Sequence, residues 1–88
     1  MTGSKEKIDE ILQELARRRD EIALKLHLGK AEAKEEWEKL EKKWQAAKAQ
    51  SKTLAGVVGE SAQNVAAALE LTLGELKKGY ERVKKMLK

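Results

Sequence analysis

The sequence predicts an all-α protein, and three observations predict it. Apolar residues recur at steps of three and four along most of the chain, with Glu, Lys, Arg and Gln between them. The 88 residues include no proline and are 39% charged, dominated by Ala, Glu, Lys, Leu and Arg. Only one stretch, residues 53–60, reads as a turn. A chain of this length is one domain, residues 1–88, and a single copy buries a modest core.

The first element follows residues 1–3, which are expected to fray. Ser4 is placed to cap it, and Glu6 and Asp9 lie near the positive end of the helix dipole. Ile8, Leu12, Leu15, Ile22 and Leu26 then form an apolar stripe, with Ile11 widening it and Arg19 at one seam position. The stripe passes Gly29 and Ala33 and joins Trp37, Leu40, Trp44 and Ala47.

Gly29 is the fork in the architecture. A glycine inside a helix costs about 1 kcal/mol relative to alanine, which one position tolerates. Lys30-Ala31-Glu32 supplies none of the Ser, Thr, Asp, Asn or Pro that start a new helix. The apolar register also survives the glycine. The expectation is therefore one long helix over about residues 4–52, roughly 70 Å long. A compact three-helix bundle broken at Gly29 is the alternative.

The turn itself, Thr53-Leu54-Ala55-Gly56-Val57-Val58-Gly59-Glu60, has two glycines within four residues, and Ser61 is expected to cap the last helix. That helix, about residues 60–87, carries Val65, Leu69, Leu73, Leu76, Tyr80, Val83 and Leu87 on one face. Its acids come early and its bases late, as the dipole prefers. Folded back as a hairpin, it sets Trp44 near Glu70 and Leu71, and Trp37 near Lys77. The expected hairpin core is Trp37, Leu40, Trp44, Leu69, Leu73, Leu76 and Tyr80, with Gly74 and Gly79 making room for the indoles.

That hairpin runs out opposite Leu26. Ile8, Leu12, Leu15, Ile22 and Leu26 are then left without a partner in their own chain. Each large side chain left wet forfeits roughly 1.5–3 kcal/mol, so a homodimer covering this face is expected.

The composition narrows the chemistry. With no cysteine there is no disulfide framework, thiolate metal site or thiol redox chemistry. The one histidine, His27, has Ala23, Leu24, Lys30 and Ala31 as its helical neighbours. None of these completes a metal site or orients an imidazole for acid–base work. No catalytic residue, cofactor, metal or small-molecule substrate is expected. Gly56-Val57-Val58-Gly59 matches the spacing of a nucleic-acid clamp, but such clamps belong to mixed α/β domains and this one joins two helices. Trp37 and Trp44, in register with Leu40, read as core rather than as surface anchors. No signal peptide or membrane-spanning run is evident, so a cytoplasmic location is expected.

Charge is the remaining signal. The net charge is +4, and residues 1–29 contribute none of it. Lys77, Lys78, Arg82, Lys84, Lys85 and Lys88 face a single acid, Glu81, in the last helix. The dipole explains the final turn. An anionic partner, such as nucleic acid or an anionic membrane surface, would explain all six as a basic patch.

Leu28-Gly29-Lys30, the run Glu36-Trp37-Glu38-Lys39-Leu40-Glu41 and Trp44 together resemble stretches of small uncharacterised bacterial coiled-coil proteins. That resemblance implies a small stand-alone helical unit and no activity. The function expected is a non-enzymatic oligomerisation or protein-interaction module, a scaffold, adaptor or small regulator. The alternative is a non-specific binder of nucleic acid or anionic surfaces through the basic last helix.

Overall fold

The computed structural model describes residues 3–87, with side chains from residue 6 onward. Within them α1 spans Gly3–Lys25, a short 3-10 turn Leu26–Leu28 follows, α2 spans Ala31–Ala55 and α3 spans Glu60–Met86. The protein is all-α, with no strand among the described residues. Met1, Thr2 and Lys88 lie outside the described residues. Gly3, expected to fray, is already helical, which places Ser4 inside α1 rather than at its cap.

The three helices form an elongated bundle of 45 × 18 × 16 Å. The long helix expected through Gly29 is thus corrected to the broken alternative. Gly29 and Lys30 are both extended, with φ/ψ of −85°/155° and −80°/174°. Burial decides this break. Straightening it would return Ile8, Leu15 and Ile22 to water, at roughly 5–9 kcal/mol for the three. The break gives up only a few backbone hydrogen bonds, each worth about 1 kcal/mol net. Some of those are replaced locally. The Gly29 N–H donates to the Leu26 carbonyl at 2.9 Å, and the Ala33 N–H to that of Lys30 at 3.0 Å. His27 Nδ1 lies 3.0 Å from the Leu24 carbonyl oxygen and satisfies it as a donor.

With the bend in place, α1 returns along the hairpin, antiparallel to α2 and parallel to α3. The face assigned to a second copy is therefore covered by the protein's own α3. Ile8, Leu15 and Ile22 are 1%, 2% and 5% exposed, and Leu12 and Leu26 are partly buried. The case for a dimer built on an open face goes with them.

α2 buries Ala33, Trp37, Leu40, Trp44, Ala47 and Leu54. It runs to Ala55, beyond the end expected near residue 52, because Leu54 is drawn into the core. The turn shrinks to Gly56-Val57-Val58-Gly59. Gly59 takes φ +71°, a left-handed conformation natural to glycine, and it rather than Ser61 precedes the first turn of α3.

α3 buries Leu69, Leu73, Leu76, Gly79, Tyr80 and Val83 and serves as the wall shared by the other two helices. Its register against α2 differs from the expected one by about a helical turn: Trp37 packs on Tyr80, with ring centroids 5.9 Å apart, rather than lying by Lys77. Gly79 sets the slip. A Cβ there would collide with Leu40 Cδ2, so Leu40 occupies the notch that glycine leaves, and not an indole. Gly74 has nothing within 4 Å of its absent Cβ and accommodates no indole either.

Candidate interaction surface

The seven hairpin-core positions, Trp37, Leu40, Trp44, Leu69, Leu73, Leu76 and Tyr80, are all buried, so neither indole is free to anchor a partner. A polar cluster sits among them. Arg19 of α1 donates Nε–H and Nη2–H to the two carboxylate oxygens of Glu41 on α2, at 2.6 and 2.7 Å. Its guanidinium also lies 5.8 Å from the centre of the Trp44 ring. The Glu41 hydrogen bond holds the Arg19 pKa above its ordinary value. Below this pair, burial pushes the Tyr80 phenol up to about 12, with the Glu41 charge adding to the effect and Arg19 opposing it. The Tyr80 hydroxyl is buried and has no hydrogen-bond partner among the described residues. This cluster ties α1 to α2.

His27 is exposed and engaged with the Leu24 carbonyl. Among the described residues, no three His, Asp or Glu side chains come together in a way that would hold a metal ion. No helix among them is long and apolar enough to cross a membrane.

The described basic residues of α3, Lys77, Lys78, Arg82, Lys84 and Lys85, are all exposed and spread across its outward half. Lys77 and Lys84 face α1, where they line grooves beside Ile11 and Ile22 respectively. Arg82 turns the other way and approaches Glu36 of α2 at 3.4 Å. Lys78 and Lys85 lie on the outer face of the helix between these two edges. Lys88 lies outside the described residues. The bases follow one another in sequence, but a helix distributes consecutive residues around its axis.

A surface that sequence reasoning missed runs along the α1–α3 seam. Three grooves of ≈ 290, 450 and 300 Å³ follow one another from Gly74 toward Leu87, and neighbouring grooves share lining residues. Glu14 and Arg18 join the first to the second, and Glu21, Ile22 and Lys84 join the second to the third. The first groove is floored by Ile11, Leu15 and Leu73 and open at Gly74, and the last by Ile22 and Leu87, continued by Leu28, which is 63% exposed; in the middle groove Ile22 and Tyr80 lie among charged side chains. Its rim is charged. Arg18 is neutralised by Glu14 at 2.9 Å and Glu81 at 4.0 Å. Lys7, Arg17, Lys25, Lys77 and Lys84 carry no ion pair among the described residues; with Arg18 they make six bases against four acids, Glu14, Glu21, Glu70 and Glu81, so the trench presents a positive surplus of two. The seam was invisible beforehand because it exists only once α1 folds back on α3.

Compared with protein-family models, curated proteins and solved structures, the chain gives no match.

Proposed function

We propose that this protein is a non-enzymatic helical interaction module, an adaptor or small regulator, whose α1–α3 trench receives an acidic amphipathic helix from a partner protein. The observation that carries the reading is the trench itself: an apolar floor in the groove at each end, a charged stretch between them, and a rim with more bases than acids. An amphipathic helix laid in such a groove buries its leucines on the floor and sets its acids against the rim. Gly74 leaves the depth that an incoming side chain needs. The non-catalytic half of the reading is supported by the engagement of His27 with backbone. The rival reading, a nucleic-acid or anionic-surface binder, would use the outward half of α3, where Arg82 is already engaged by Glu36 at 3.4 Å.

The test uses a designed helical peptide with Leu at i, i+3, i+4 and i+7 and Glu on its flanks, followed by fluorescence anisotropy. Micromolar binding is expected. Lys77→Glu with Lys84→Glu should weaken it by about tenfold or more, and raised salt should weaken it further. Gly74→Leu, which fills the floor, should also weaken it. Binding indifferent to all three substitutions would overturn the proposal. So would retention of duplex DNA or anionic vesicles in place of the peptide.

A further inference from the structure

The bend between α1 and α2 is a hinge with unusually little to hold it. Only Gly29 and Lys30 separate the 3-10 turn from α2, and no side chain caps the Lys30 end. The apolar stripe continues through the bend in a register that would also suit an unbroken helix. The buried face of α1 packs on α3, while α1 and α2 meet chiefly through Arg19, Glu41 and Trp44. Every contact that α1 makes beyond the hinge is thus available from the α1 of another copy.

We infer that two copies of this chain exchange α1. The hinge straightens, α1 and α2 become one helix, and each α1 lies on the α2–α3 hairpin of the other copy. The geometry closes. In the closed chain α1 is antiparallel to α2, so two straightened helices running antiparallel, with their two-fold axis near Gly29, restore the same packing at both ends. Arg19 of one copy then meets Glu41 of the other. Exchanged and closed forms differ at the hinge and in the entropy of association, so concentration sets their ratio. The occupant of the trench plays no part in this inference, since exchange rebuilds the α1–α3 seam between copies.

Gly29→Ala tests the hinge. In the closed bend the new Cβ would lie 2.7 Å from Leu87 Cδ2, 3.0 Å from Ala33 Cβ and 3.2 Å from the Leu26 carbonyl oxygen. In a straight helix alanine is favoured over glycine by about fivefold per hinge, or ~25-fold for a dimer with two hinges. Native mass spectrometry should show the dimerisation constant rising by at least that factor. The exchange itself is read from two such chains, one also carrying Arg19→Glu and the other Glu41→Arg, unfolded and refolded together. Exchange sets the glutamate introduced at position 19 of the first chain against the arginine introduced at position 41 of the second. It also sets Arg19 of the second against Glu41 of the first, so the mixed dimer should exceed its statistical share. A side-by-side dimer leaves both pairs mismatched and yields statistical mixing, which overturns the inference, as does a folded, purely monomeric Gly29→Ala chain. Should that chain fail to fold, the unsubstituted protein refolded at ~1 mM is compared with one carrying Gly-Ser-Gly inserted after Gly29. Dimer in the first alone supports exchange; monomer in both, or dimer in both, overturns it.

Discussion

Arg19 and Tyr80 show how much a few atoms decide in so small a core. The phenol is 1% exposed, and its hydroxyl lacks a hydrogen-bond partner among the described residues. Removing that oxygen relieves a desolvated polar group at no loss of packing. Tyr80→Phe should therefore raise stability by about 1 kcal/mol, read from the urea midpoint. Its pH dependence has a definite sign. The phenol titrates near 10 when unfolded and at about 12 when folded, so the native state holds the proton more tightly. The stability this confers is complete below pH ~10 and is lost as pH rises through ~12, at roughly 1.4 kcal/mol for each pH unit between the two values. An alkaline melting series should show that loss in the parent and not in Tyr80→Phe. Arg19 works in the other direction. Its side chain and that of Glu41 are each 29% exposed, so solvent screens part of their attraction. Arg19→Ala also removes the guanidinium lying over the Trp44 ring and should cost about 1–2 kcal/mol by the same measurement.

At the scale of the element, the two glycines of α3 make opposite predictions from the same substitution. Gly74→Ala adds a methyl group in open space and a better helix former, so it should stabilise by about 1 kcal/mol. Gly79→Ala places its Cβ against Leu40, which is 2% exposed and whose Cδ1 and Cγ would lie 3.1 Å away beside the colliding Cδ2. It should destabilise by about 1 kcal/mol net, overpacking outweighing propensity, as paired thermal melts would show. The helices themselves were legible in the sequence, since the apolar spacing of Trp37, Leu40, Trp44, Leu69, Leu73, Leu76 and Tyr80 is a local property. The bend was not. Every local signal around Gly29 favours continuity, and the force that breaks the helix is burial of Ile8, Leu15 and Ile22 against residues more than fifty positions away. The α2–α3 register was missed for a related reason: it hangs on one notch, Leu40 in Gly79, that no periodicity reveals.

For the molecule as a whole, the fold-back of α1 changes both shape and surface. It replaces a long rod with a bundle 45 Å in length and a radius of gyration of 14.2 Å, which small-angle scattering at low concentration should reproduce. It also creates the trench, assembled from residues on two helices that are distant in sequence. The placing of Lys7, Arg17 and Lys25 of α1 along the same trench as Lys77 and Lys84 of α3 emerges only in three dimensions.

The position of the shared wall has a consequence for biosynthesis. Synthesis proceeds from the amino terminus, so α1 and α2 leave the ribosome before the helix that joins them. Until α3 emerges, Ile8, Leu15 and Trp37 lack their main cover, and the nascent chain is open to proteases and chaperones. Released chains truncated near residue 60 should be cleaved readily, and the full-length protein should resist.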